Sequence, residues 1–259
     1  MLSVGKMNIK EILKEYLTVL KKEDIDALSS LLNNRSTMYT PLDGLISGRM
    51  KIKNYIMNQK DWLNTKNARV EIFNLIDAKN RIIIELSIFY DKGEKKIELP
   101  FVAVLDIENN FIINIRIYHS SWPITGKHIS IKPILKPDTN LEVPDIIIEY
   151  MKGIKNADKD HVLSLFEVDA YVQEPSGSKY RHLGESGRNE FYSFALGKGG
   201  IPLKHCTATF DGRHFAVEYV FDEWGNKKFE PQAGIAIYEI GESGKIAAVR
   251  IYDDASPPE

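Results

Sequence analysis

Apolar residues recur along this chain first with the spacing of helices and then with that of strands. Ile9, Ile12, Leu13, Tyr16, Leu17 and Leu20 fall on one helical stripe, and Ile147, Tyr150, Met151 and Ile154 fall on another. Each stripe predicts an amphipathic helix. Asp24 and Asp158 follow as N-caps of a second, short helix, because a carboxylate there accepts from amide hydrogens that have no partner in the first turn. A third helix is predicted near 50–63 and again near 186–196. Beyond it the period changes to that of strands, over 69–77, 81–91, 94–107 and 111–119, and later over 204–211, 213–222, 227–240 and 245–253. Turns such as DKGE, DEWGN and GESGK separate them, with Gly and Asn at positions that accept positive φ. Helices followed by antiparallel strands indicate an α+β class, with helices on one face of a curved sheet.

The same series occurs twice. EYLTVLKKEDIDALSSLL, beginning at Glu15, aligns without a gap on EYMKGIKNADKDHVLSLF, beginning at Glu149, an offset of 134 residues. At that offset Tyr16 meets Tyr150, Pro41 meets Pro175, and IRIY ending at Tyr118 meets VRIY ending at Tyr252. Two chance helices would not keep one offset from the first helix to the last strand, so the chain is a duplication. Residues 1–122 form repeat one and residues 144–259 repeat two. Between them 123–143, with Pro133 and Pro137, reads as a linker.

Composition narrows the function classes. With 34 basic and 36 acidic side chains and a pI near 6.3, the chain has no basic face for a phosphate backbone, so nucleic acid is not an expected partner. The longest apolar runs fall far short of the roughly 18 residues that argue for a membrane span. Cys206 is the single cysteine and cannot form an internal disulfide, and no early apolar stretch makes a signal peptide, so a cytoplasmic address is the expectation. The six histidines show no HxH or HxxxH spacing, and neither a metal nor an organic cofactor is expected. Repeat one carries a net +3 and repeat two a net −6, which favours docking of one on the other and is equally well explained by solvated faces that drifted apart.

At this point the residues carry a resemblance. Helix, capped short helix, a strand ending in Glu174-Pro175-Ser176-Gly177, a third helix and four long strands resemble the nuclear-transport-factor-2-like cone, a family that includes ketosteroid isomerases and SnoaL-like polyketide cyclases. The second repeat is the closer match, through IEYMKGIKNADKDHVLSLFEVDAYVQEPSGS, FYSF and GKIAAVRIY. The resemblance implies two tandem cones. It also implies that they pair within one chain as separate cones do between chains, which makes a monomer the expected state.

The resemblance further places Tyr150 where the isomerases hold an oxyanion-donating tyrosine, and Glu174 where they hold the general base. A carboxylate at the mouth of an apolar cone is suited to take a proton beside a carbonyl, while a phenol steadies the enolate. Ala236, placed to within about one residue, occupies the position of the family's second donor, and losing such a donor typically costs about 10²–10³ in rate. In repeat one Tyr16 is retained, whereas Thr40 stands at the base position and Ala103 at the second donor position. His205 and Glu218, on successive strands, are further candidates for ligand contact. Asp253 and Asp254 follow the last strand at the rim, where a cyclase could use an acid and where the plain expectation is a solvated terminus. The function expected from sequence is binding of a small apolar molecule in the second cone, with proton transfer of isomerase or cyclase type. The alternative is a non-catalytic ligand-binding or assembly module. An open cavity would favour the first, and a cone plugged by Phe191, Tyr192 or Trp224 the second.

Overall fold

The computed structural model describes residues 25–78 and 80–258. The first predicted helix, with Tyr16, and the proposed cap Asp24 lie outside the described residues. The chain divides into two compact units, the first holding residues up to Leu75, Lys79–Ile97 and Phe101–Ile117, the second Ile76–Ala78, Glu98–Pro100 and the chain from Tyr118 onward.

In the first unit α1 (Ile25–Ser30) leads into β1 (Leu32–Thr40) and β2 (Gly44–Ser47), and α2 (Arg49–Thr65) precedes β3 (Arg69–Ala78), β4 (Arg81–Lys92), β5 (Lys95–Glu108) and β6 (Phe111–Tyr118). The six strands form one sheet in the order β2-β1-β6-β5-β4-β3. β1 runs antiparallel to β2 and parallel to β6. The core gathers Leu28, Ile52 and Ile56 from the helices against Ile84, Leu105 and Ile115 from the strands.

The second unit repeats this order. A short helix α3 (Trp122–Thr125) lies ahead of α4 (Asp145–Lys155), α5 (Lys159–Ser164), β7 (Phe166–Gln173), β8 (Arg181–Leu183) and α6 (Gly184–Ala195). Then come β9 (Lys204–Phe210), β10 (His214–Trp224), β11 (Lys227–Ile240) and β12 (Ile246–Tyr252), in a sheet of order β8-β7-β12-β11-β10-β9. The two sheets therefore share one topology, and the architecture is a tandem α+β fold with a mixed six-stranded sheet in each half. In α4 the predicted stripe buries Ile147, Tyr150 and Ile154. Asp158 caps α5 as expected, accepting from the His161 amide at 3.0 Å. A Cβ on Gly153 would stand 2.6 Å from a Val162 methyl, so glycine lets α5 lie close against α4.

Duplication also preserves polar detail. In the first unit Asp106 joins two arginines, accepting from Arg81 Nε at 2.6 Å and from the guanidinium of Arg116. In the second, Glu239 is placed likewise between Arg213 Nε, 3.0 Å away, and Arg250 Nη1, 3.4 Å away. Burial opposes ionisation of both acids, but the paired guanidiniums outweigh it and hold each carboxyl below its ordinary range. A second pair recurs on neighbouring strands: Asn74 Nδ2 donates to Glu85, and Thr207 Oγ1 donates to Glu218, each at 2.6 Å.

The region read as a linker is fastened to the second unit. Its Ile131 is fully buried and accepts from the Ala233 amide at 2.7 Å, while the Asp138 amide donates to the His205 carbonyl at 2.8 Å. Proline spacing shows that this stretch is neither helix nor strand, but not that its backbone is occupied by sheet partners.

Arg116 is 2% exposed, so its removal leaves a largely buried carboxylate short of a counter-ion. Arg116→Met is expected to cost about 3 kcal/mol in equilibrium urea unfolding, against less than about 1 kcal/mol for an exposed pair such as Lys204→Met.

Candidate functional site

The helices of the second unit stand off its sheet far enough to leave a cavity of about 330 Å³. That is room for roughly eleven waters at about 30 Å³ each, or for one small organic molecule. α4 supplies Tyr150 and Ile154, α6 supplies Phe191 and Tyr192, and β10 supplies Tyr219 and Phe221. Ala236 and Tyr238 of β11 and Val249 of β12 complete the inner wall. Phe191, Tyr192 and Trp224 lie on the wall and do not plug the cone. The Trp224 indole is turned aside, its Nε1 donating to the Ala195 carbonyl at 2.7 Å.

Deep in the wall the Tyr150 and Tyr192 hydroxyls are 2.8 Å apart. One O–H is used between them, which leaves one for a guest. Burial pushes Tyr150 up to about 12, against the pull of its bond to Tyr192, and raises Tyr192 and Tyr238 as well, so all three remain neutral donors. Edge-to-face packing of Tyr150 on Tyr238, with ring centroids 5.3 Å apart, fixes the orientation of the pair.

Asp253, half-buried just beyond β12, brings a carboxylate to the cavity wall. Its Oδ2 accepts from the Tyr219 hydroxyl at 2.7 Å, and its Oδ1 takes a long bond, 3.4 Å, from the Ala255 amide. Burial pushes the Asp253 carboxyl up to about 6, and the neighbouring Asp254 charge adds to the rise, while Tyr219, the Ala255 amide and His128 act in the opposite sense. Gly234 makes the arrangement sterically allowed. It lies opposite Tyr219 in the β10–β11 ladder, and a Cβ there would stand 2.6 Å from the phenol. Only without a side chain at 234 can the tyrosine lie across β11 toward Asp253.

Asp254 has a different task. Its side chain is fully buried and accepts from Ser120 Oγ at 2.6 Å, from Ser121 Oγ, from the Ile129 amide at 2.8 Å and from His128 Nδ1 at 3.0 Å. All four donors come from the stretch ahead of α4, and the same stretch lends Trp122 and His128 to the cavity wall. The expectation of a solvated terminus is therefore overturned for Asp254, which is buried, while Asp253 is half-buried on the cavity wall.

Glu174 and Tyr150 both line this cavity. Glu174 is the more exposed, with 32% of its side chain accessible, and its Oε1 lies 2.6 Å from His182 Nε2. His205 and Glu218 lie outside the lining. Alternation along β10 explains Glu218, since Tyr219 and Phe221 occupy the cavity side and Glu218 points the other way, 1% exposed and bonded to Thr207. His205 Nε2 is buried without a hydrogen-bond partner among the described residues, and burial lowers its proton affinity. In the first unit Thr40 is buried and accepts from the Asp43 amide at 3.0 Å. Neither the Tyr150–Tyr192 bond nor the phenol on Asp253 was found from sequence; a glycine inside the long strand β11 is the one signal that could have pointed to the second.

No protein-family model and no curated protein matches the chain. The solved structures similar to it are nuclear-transport-factor-2-like and ketosteroid isomerase-like proteins, each covering less than half of it. A nuclear-transport-factor-2-like protein of unknown function from Cytophaga hutchinsonii shares 18% identity over 43% of this chain and 98% of its own, with a TM-score of 0.37. A protein with a ketosteroid isomerase-like fold from Catenulispora acidiphila shares 18% over 45% and 90%, with a TM-score of 0.37. A "putative polyketide cyclase" from Sinorhizobium meliloti shares 13% over 41% and 93%, with a TM-score of 0.34.

A carboxyl raised from 3.8 to about 6 binds its proton more tightly in the folded chain than in the unfolded one. Its stabilising effect is complete below about pH 4 and is lost as pH rises to about 6. Urea unfolding of the wild type is expected to show a fall of about 2 kcal/mol across that window, allowing for water entering the cavity, and Asp253→Asn should flatten it.

Proposed function

We propose that the second unit takes up one small, largely apolar molecule and exchanges a proton with it through Asp253. The free hydroxyl of the Tyr150–Tyr192 pair donates to the guest atom on which negative charge gathers. This is the acid–base step of an isomerisation or ring closure, and it needs no bound cofactor. The observation that carries the reading is a half-buried carboxylate sharing an open apolar cavity with neutral phenol donors. A base is most effective when its proton affinity lies near the working pH, and burial moves Asp253 toward that range. Glu174, partly exposed and joined to His182, is the second choice for the base.

A second reading, a non-catalytic binding module, is favoured by Ala236, which brings no polar group to the wall. The two readings share the cavity and differ in whether the guest's proton moves.

2-Naphthol, an apolar two-ring body with one hydroxyl, is a suitable probe. Fluorescence titration is expected to show saturable one-to-one binding with a Kd on the order of 0.1 mM. Affinity should rise several-fold from pH 5 to pH 7, because the guest hydroxyl bonds more strongly to an ionised acid. Ala236→Phe should abolish binding by filling the cavity. Asp253→Asn should remove the pH step, and Glu174→Gln should keep it. Binding unaffected by Ala236→Phe would place the guest elsewhere, and a pH step lost in Glu174→Gln alone would transfer the base to that residue.

A further inference from the structure

Among the described residues three carboxylates line the cavity, and no lysine or arginine does. They are not equivalent. Asp254 is neutralised by four donors, two of them hydroxyls, one an amide and one an imidazole. Glu174 has the His182 imidazole at 2.6 Å and partial access to water. Asp253 has one phenol and one long amide contact, so part of its acceptor capacity is unused on the cavity side. An ionised acid in that setting has no cationic side chain bonded to it among the described residues, the partner that a charge withdrawn from water normally requires.

The surrounding walls suit such a partner. Tyr219, Phe221, Tyr150 and Tyr238 present aromatic rings to the same space, and a cation is attracted to aromatic faces once it has left water. An anionic guest would meet the opposite: buried negative charge, and only hydroxyls and an already engaged imidazole to offset its own.

Resting on the reading of the cavity given above, we infer that its guest is a protonated amine on a compact apolar body, with the ammonium group seated against Asp253 and the body among the aromatic rings. In the exchange step an N–H bond breaks, an O–H bond forms on Asp253, and the electron pair stays on nitrogen. The guest leaves that step as a neutral amine, which is a nucleophile.

Three ligands with one indole body separate the charge types: tryptamine is cationic, 3-ethylindole neutral and indole-3-acetate anionic. By competition against 2-naphthol at pH 7.5, tryptamine is expected to bind at least tenfold more tightly than 3-ethylindole, with indole-3-acetate failing to compete. In Asp253→Asn, tryptamine and 3-ethylindole should bind alike, and retained 3-ethylindole binding shows that the cavity is still formed. In Glu174→Gln the preference for tryptamine should persist. Equal binding of tryptamine and 3-ethylindole to the wild type overturns the amine assignment and leaves the cavity reading intact. A preference that survives Asp253→Asn overturns the role of that residue. Failure of all three indoles together with 2-naphthol overturns the cavity reading itself.

Discussion

The hydrogen bond from Tyr219 to Asp253 is the interaction on which the chemistry of the second unit depends. It holds an acid at the wall of an apolar cavity without neutralising it, so the carboxyl stays reactive instead of becoming part of a salt bridge. A guanidinium in place of the phenol would have pulled the acid down, as Arg116 does to Asp106 in the first unit. The phenol gives a directed bond and no charge. Its position depends in turn on Gly234, so a missing side chain on β11 determines where a proton can be held beyond β12.

The two halves show how one topology supports different sites. Both keep an acid between two arginines and a glutamate tied to a neighbouring strand, which are matters of sheet stability. Where the second half has tyrosines and a half-buried aspartate, the first has Thr40 bonded to its own turn and a core of aliphatic side chains. Fold and reactivity are separable because strand alternation reserves one sheet face for the cavity and leaves the other to the polar pairs.

Much of the fold was legible in the sequence. The constant offset gave the duplication, the stripe through Ile147, Tyr150 and Ile154 gave a helix facing the core, and the change of period gave the long strands within a residue or two. The short strands β2 and β8 carry too few residues for a period to register. The site was legible in part, since Tyr150 and Glu174 do line one cavity. Side-chain parity on β9 and β10 could not be fixed without register, which is why Glu218 and His205 were candidates in the sequence although neither lines the cavity. The aspartates after β12 were the largest miss. Polar residues near a chain end look solvated in a linear reading, and only the return of the chain over the sheet brings Asp254 against Ser120, Ser121 and His128.

That return gives the joining segment a second occupation. A half-protein trimmed at Pro144 would keep every strand and long helix of the second fold, yet one buried anion would lose all four of its donors and the chamber would be left without one side. A piece of that half keeps those donors only if it begins at or before Ser120, so the segment read as a linker is part of the vessel.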